Sequence, residues 1–306
     1  MPPDLLAHAG YSEIASSSSD CNLYDGAKNY RLGDVTGSRW FRHTSGGLPF
    51  HLQNFPKSLA AQFLRGYGHG TPAYRAYYNA TCWPRCAKSG YCQCYVPRAH
   101  ALHEILERER VSAIANASAG GKHGGGGLGA HARLSHTAAV HLRVGDVVDQ
   151  SPHSLDEMLR RTTRFSTRCS ASATKEGCLS ISPVVYVQPL ARYDSVIARF
   201  RELDIRRVVI VAASSVNQSW SGKTWSHAKS CDYVRRMGRH FAAAGFKTAY
   251  RLGQQPDDDF RFFSRVACMV PSLSGFGGLA GQVAQKFGVH IIMPEGLTLP
   301  TFDLTG

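Results

Sequence analysis

Arg207-Val-Val-Ile-Val-Ala212 is the stretch on which the fold turns. Five apolar residues follow one another, four of them β-branched, with none of the polar alternation of a strand that has one wet face. A run this short and this apolar predicts a strand buried on both sides, as in a parallel sheet whose crossover helices cover each face. The flanking sequence supplies those helices. Residues 193–203 place Val196, Ile197, Phe200 and Leu203 on one helical stripe. Residues 226–244 read as a long helix closed by Gly245. Further out, strands are predicted at 137–143, 183–187, 247–252, 268–271 and 290–293. Helices are predicted at 154–162, 258–265 and 275–287, the last stopped by Gly288. The alternation specifies the α/β class, with a doubly wound parallel sheet. Ligands of such sheets bind at the carboxyl ends of the strands.

The amino-terminal part reads differently. Helices are predicted at 55–65 and 99–109, and 67–97 is an aromatic, Cys-rich stretch with loop character. Residues 115–131 are Gly-rich and nearly featureless, which is linker composition. The expected division is therefore an N-terminal, Cys-rich domain over 1–131, ending in that linker, and a nucleotide-binding Rossmann-like domain over 132–306.

Apolar content of 43% and charged content of 19% describe an ordinary globular protein. The longest strongly apolar stretch, Val208 to Ala213, is too short to cross a bilayer, and Met1-Pro-Pro-Asp4 does not open a signal peptide. The formal charge of +13 favours anionic partners. The basic residues fall in small groups on helix faces rather than in a stripe interleaved with aromatics, so phosphorylated small molecules are expected and nucleic acid is not. Of nine cysteines, Cys82, Cys86, Cys92 and Cys94 crowd together. Their spacing lacks paired CxxC knuckles, and Asn79-Ala-Thr81, Asn116-Ala-Ser118 and Asn217-Gln-Ser219 are glycosylation sequons. Together these favour disulfides, a glycoprotein and the lumen of the Golgi or endoplasmic reticulum over a zinc site.

Candidate site residues lie just past the strands. His141-Leu-Arg143-Val-Gly-Asp146 ends the first. An Arg there can fork onto a diphosphate and stabilise the charge that grows on it as a glycosidic bond breaks. A structural ion pair between Arg143 and Asp146 is the competing reading. After Ala212 stand Ser214 and Ser215, which can bond phosphate or ribose or cap the next element. Asp257-Asp-Asp259 suits a divalent metal or the first turn of a helix, and helix capping is the favoured reading. Finally, Ser272-Leu-Ser274-Gly275-Phe276-Gly-Gly278 joins a strand to a helix, an arrangement that binds anions through backbone N–H groups and the helix dipole.

This set resembles the GDP-fucose-dependent fucosyltransferases of GT-B-like architecture. Their first motif, His-x-Arg-(Arg)-x-Asp, is matched by His141, Arg143 and Asp146, with Val144 at the second arginine. In this it is similar to protein O-fucosyltransferases. Asp259, then Phe262-Phe-Ser264, then Ser272 and Ser274, keep the spacing of their third motif. The resemblance implies that Arg143 binds the diphosphate, that His141 and Asp259 approach the guanine end, and that Ser272 to Phe276 hold the phosphates. It implies transfer of fucose from GDP-fucose, with inversion and without metal, to a hydroxyl of a glycan or glycoprotein. Asp146 and Asp149 are the nearest carboxylates for a base. The alternative is a non-catalytic glycan- or nucleotide-binding protein on the same fold.

Overall fold

The computed structural model describes residues 21, 23, 59–67, 71–77, 79–80, 98–119, 134–149, 151, 153–160, 186–213, 227–254 and 256–299. Its centre is a sheet of β1 (Leu134–Arg143), β2 (Arg207–Ala213), β3 (Lys247–Leu252), β4 (Val266–Val270) and β5 (His290–Ile291). All neighbours are parallel, in the order β3-β2-β1-β4-β5. The helices are α1 (Leu59–Tyr67), α2 (Pro72–Tyr77), α3 (Arg98–Ala119), α4 (Asp146–Asp149), α5 (Leu155–Arg160), α6 (Asp194–Glu202), α7 (Ala228–Ala243), α8 (Pro256–Phe263) and α9 (Gly275–Lys286). The α/β class and the doubly wound parallel sheet are as the sequence predicts.

Both faces of the sheet are buried, which is why β2 needs no polar residue in its interior. Val208, Ile210 and Ala212 join Val196 and Phe200 of α6 and Tyr233, Val234 and Phe241 of α7 in one cluster. Val209 and Val211 point the other way, into a second cluster with Phe260 and Phe263 of α8 and Val283 of α9. Each fully buried Phe or Val contributes about 1.5–3 kcal/mol relative to exposure. The second cluster also takes in Leu59 and Phe63 of α1 and Leu102 and Ile105 of α3. These N-terminal helices thus pack on the sheet side of the sequence boundary at 131/132. Polar contacts reinforce them. Asp257 accepts the buried amide of Leu59 (2.9 Å), and Glu109 accepts from Arg261 (2.9 Å) and from Gln62 (2.8 Å).

Local signals act as expected at the helix ends. Ser154 and Glu157 form a reciprocal capping box on α5, with Glu157 N–H donating to Ser154 Oγ (3.2 Å) and Ser154 N–H to Glu157 Oε2 (2.7 Å). Gly245 (φ +96°) and Gly288 (φ +76°) end α7 and α9, and the next residues donate back to Phe241 and Ala284.

Two expectations change. Of the strand predicted at 183–187, residues 183–185 lie outside the described residues, and Tyr186 and Val187 are not in a strand. Val187 is buried in the cluster on the α6–α7 face, and the Gln188 amide donates to Tyr233 Oη (3.3 Å) instead of to a ladder. The strand predicted to Met293 ends at Ile291, because after the Ile292 amide reaches Met269 O the chain runs into Pro294, which has no N–H to offer.

A disulfide joins Cys21 to Cys231 in the first turn of α7, and Cys268 is buried in β4. The cluster Cys82 to Cys94 lies outside the described residues. Asn79 is exposed, and Asn116 falls within α3. No helix among the described residues is long and apolar enough to cross a membrane.

Candidate functional site at the carboxyl edge of the sheet

The strand order places the site. From β1 the chain moves outward to β2 and β3, then returns to β4 on the other side of β1. At the carboxyl ends of β1 and β4 the connections leave in opposite directions, which opens the crevice where such sheets bind ligands. His141 and Arg143 end β1, and Ser272 and Ser274 follow β4, so the first and last candidate segments meet there although 131 residues separate His141 from Ser272.

His141 lies on the α8–α9 face, 8% exposed, with its ring 5.8 Å from that of Phe263 and 5.2 Å from that of Phe276. Its Nδ1 is 2.9 Å from Ser272 Oγ, which is 2.9 Å from Ser274 Oγ. Ser274 is the N-cap of α9, and its hydroxyl accepts the Gly277 amide at 2.9 Å. Burial, with a smaller push from the Arg143 charge, lowers the His141 pKa to about 3. The imidazole is therefore neutral at ordinary pH and serves as a hydrogen-bonding wall, not a proton carrier. Gly277 is required by close approach, since a Cβ there would stand 2.4 Å from the Ser272 carbonyl oxygen. The turn folds this tightly onto the helix. Gly275 and Phe276 open α9 ahead of the capped Gly277. They sit at the positive end of the α9 dipole.

Arg143 is half-buried at the end of β1 and donates to the carbonyl of Val144 (2.7 Å). Gly145 follows with φ +84°, a left-handed turn that an L side chain resists. Asp146 opens α4, and its side chain is outside what the structure describes, as is the whole of Ser214.

The acidic candidates are brought to separate places. Asp149 is 5% exposed and bound to Ser230 N (3.1 Å), Ser230 Oγ (2.5 Å) and His227 Nδ1 (3.2 Å). Its carboxylate anchors the start of α7. Asp257 accepts Leu59's amide, so it caps α1 from 198 residues away, and Asp258 pairs with Arg261 on the surface. Asp259 forms a buried pair with Arg251, Nε to Oδ1 2.7 Å, each 5% exposed. Burial raises the Asp259 pKa to about 6, with Arg251 pulling against it. Arg251 also lies 5.4 Å from the Phe262 ring centroid. Arg251, Val211 and His141 share one register row, so Arg251 stands two strand spacings, roughly 10 Å, from His141. Among the described residues no three His, Cys, Asp or Glu gather as metal ligands do.

Sequence reasoning passed over Ser230, His227 and Arg251. Only Arg251 left a signal: a charge in an otherwise apolar strand demands a partner, and Asp259 follows eight residues on.

No family profile matches the chain, and no curated protein sequence matches it. Among solved structures, POFUT1 in complex with GDP superposes with a TM-score of 0.32 and 13% identity, over 63% of this chain and 51% of that one. POFUT1 in complex with GDP-fucose gives 0.31 and 10%, over 74% and 59%. The chain thus spans between half and three-fifths of those chains' length. Likeness this loose transfers neither residues nor ligands.

Proposed function

We propose that the chain is a glycosyltransferase of GT-B-like architecture that binds a nucleotide sugar, GDP-fucose first, at the β1–β4 switch point. The sugar passes with inversion to a hydroxyl of a glycan or glycoprotein in the lumen of the secretory pathway. The observation that carries this reading is the meeting of the His141-Leu-Arg143 strand end with the Ser272–Phe276 turn, at the N-terminus of α9 and within hydrogen-bonding distance. Arg143, leaving the Val144 carbonyl, forks onto the diphosphate and stabilises the charge of the departing nucleoside diphosphate. The amides of Gly275 and Phe276 take the phosphate oxygens, and Ser272 and Ser274 supply hydroxyls. Neutral His141 lines the floor. Arg143 and the helix end together supply positive charge without a metal ion. Asp146, beside this loop, is the candidate to orient Arg143 or accept the proton, and residues 1–131 form the acceptor side.

A second reading, binding without turnover, is favoured by one observation: Asp149, Asp257 and Asp259 are all engaged by internal partners. Thermal stabilisation by GDP, UDP, ADP and their sugar conjugates, with and without EDTA, tests the first reading on wild type and Arg143→Ala. A GDP-selective shift that survives EDTA and is lost in Arg143→Ala is expected; no shift with any nucleotide refutes it. Release of GDP from GDP-fucose then separates transfer from mere binding.

A further inference from the structure

We infer that the first turn of α7 is a clamp that positions the phosphate-binding loop after β1, with Ser230 as its central positioning residue; the inference rests on the nucleotide reading of that loop. Residues 227–231 reach into the segment 145–153 or into the N-terminal chain at nearly every position. Ser230 Oγ accepts the Gly145 amide at 2.9 Å and donates to Asp149 Oδ2 at 2.5 Å. Asp149 Oδ1 in turn accepts the Ser230 amide at 3.1 Å, so a carboxylate at the end of α4 caps the first turn of α7. His227 Nδ1 approaches the same carboxylate at 3.2 Å. Lys229 Nζ donates to the carbonyls of Ser151 and His153. Cys231 is joined covalently to Cys21.

The geometry is specific to that loop. Gly145 stands two residues after Arg143 at φ +84°, and its carbonyl accepts the amides of Val148 (2.9 Å) and Asp149 (2.8 Å) to start α4. Its own amide has no place in the sheet ladder, and Ser230, which is fully buried, satisfies it. A single hydroxyl therefore links the turn beyond Arg143 to the start of α7. Such a link matters only if the loop must hold one conformation, and a guanidinium that has to fork onto a diphosphate needs its backbone held within a fraction of an ångström. His227 supports the same view. It enters α7 at φ +54°, a left-handed conformation unfavourable for a residue with a Cβ, and its ring contact with Asp149 lies at that bend.

The test compares Ser230→Ala and Ser230→Thr with wild type by hydrogen–deuterium exchange and by GDP affinity. In Ser230→Ala, exchange of the amides in 144–149 rises about tenfold, the size expected for one lost buried hydrogen bond, while β2 and α9 are unchanged. GDP affinity falls by a similar factor. Ser230→Thr keeps the hydroxyl and restores both. Unchanged exchange at 144–149 overturns the clamp, and raised exchange with unaltered GDP affinity overturns its positioning role. If wild type ignores every nucleotide, the nucleotide reading fails by itself, visible before any variant is made, and the positioning role falls with it while exchange still decides whether the clamp exists.

Discussion

Replacement of Gly277 by alanine probes the turn on which the candidate site depends. Gly277 is the third residue of α9, and a Cβ there would lie 2.4 Å from the Ser272 carbonyl oxygen, 2.5 Å from Ser272 Oγ and 3.0 Å from its amide nitrogen. A carbon accommodates an oxygen at about 3.3 Å, so the turn must retreat by roughly 1 Å. Two of the three atoms are backbone, so no rotamer change relieves the contact. The third is the hydroxyl that meets His141 Nδ1 and Ser274 Oγ, each at 2.9 Å. Overpacking of this kind costs about 1–3 kcal/mol, and each broken hydrogen bond adds about 1 kcal/mol. Against this, alanine gains about 1 kcal/mol over glycine within a helix. With both bonds broken the expected net loss is about 2–4 kcal/mol in urea unfolding, together with loss of GDP-induced stabilisation. Gly281→Ala is the control. Its nearest neighbours are side-chain atoms, Leu299 Cδ1 at 3.0 Å and Pro271 Cγ at 3.4 Å, and the helix gain leaves that variant near neutral. If Gly277→Ala unfolds at the wild-type urea concentration and keeps its ligand response, the close approach is not what shapes the turn.

Three further outcomes follow from buried groups. Asp257→Ala strands the Leu59 amide and lowers stability by about 1–3 kcal/mol, while Asp257→Asn, which keeps an acceptor oxygen, costs less; equal losses, or stabilisation of wild type by manganese, would restore the metal reading. Cys21–Cys231 closes a 210-residue separation, for which chain entropy sets a ceiling of about 5 kcal/mol. Reduction or Cys231→Ser is expected to lower the unfolding midpoint, and peptide mapping without reductant that finds no linked Cys21–Cys231 pair would contradict the linkage. The pH dependence has two opposed parts. His141, with its pKa lowered from 6.5 to about 3, refuses a proton that the unfolded chain accepts, so stability falls as pH drops through that window. Asp259, raised from 3.8 to about 6, keeps a proton the unfolded chain has lost, so its contribution declines as pH rises from 3.8 to 6. His141→Gln should therefore flatten the acid limb and Asp259→Asn should steepen it; urea unfolding from pH 4 to 7 showing the reverse order would refute both assignments.

What could be read along the chain was whatever depends on neighbours in sequence. The apolar run Val208 to Ala212, the stripe of Val196, Ile197 and Phe200, and the stops at Gly245 and Gly288 are local properties, and each element stands within a few residues of its expected place. The same locality explains the error at Val187. A short apolar run has no period long enough to distinguish a strand from a segment pressed on a helix.

By itself the sequence determined the α/β class, the succession of strands and helices, and which segments stand just past strand ends, because backbone propensity and burial pattern are written in adjacent residues. Only the tertiary structure decided the strand order that brings His141 to Ser272. It alone sent Asp149 to Ser230, 81 residues on, Asp257 to Leu59, 198 residues back, and Cys231 to Cys21 across 210. A carboxylate or thiol carries no mark of its partner, and that partner is chosen by packing of the two apolar faces of the sheet, which brings distant segments together.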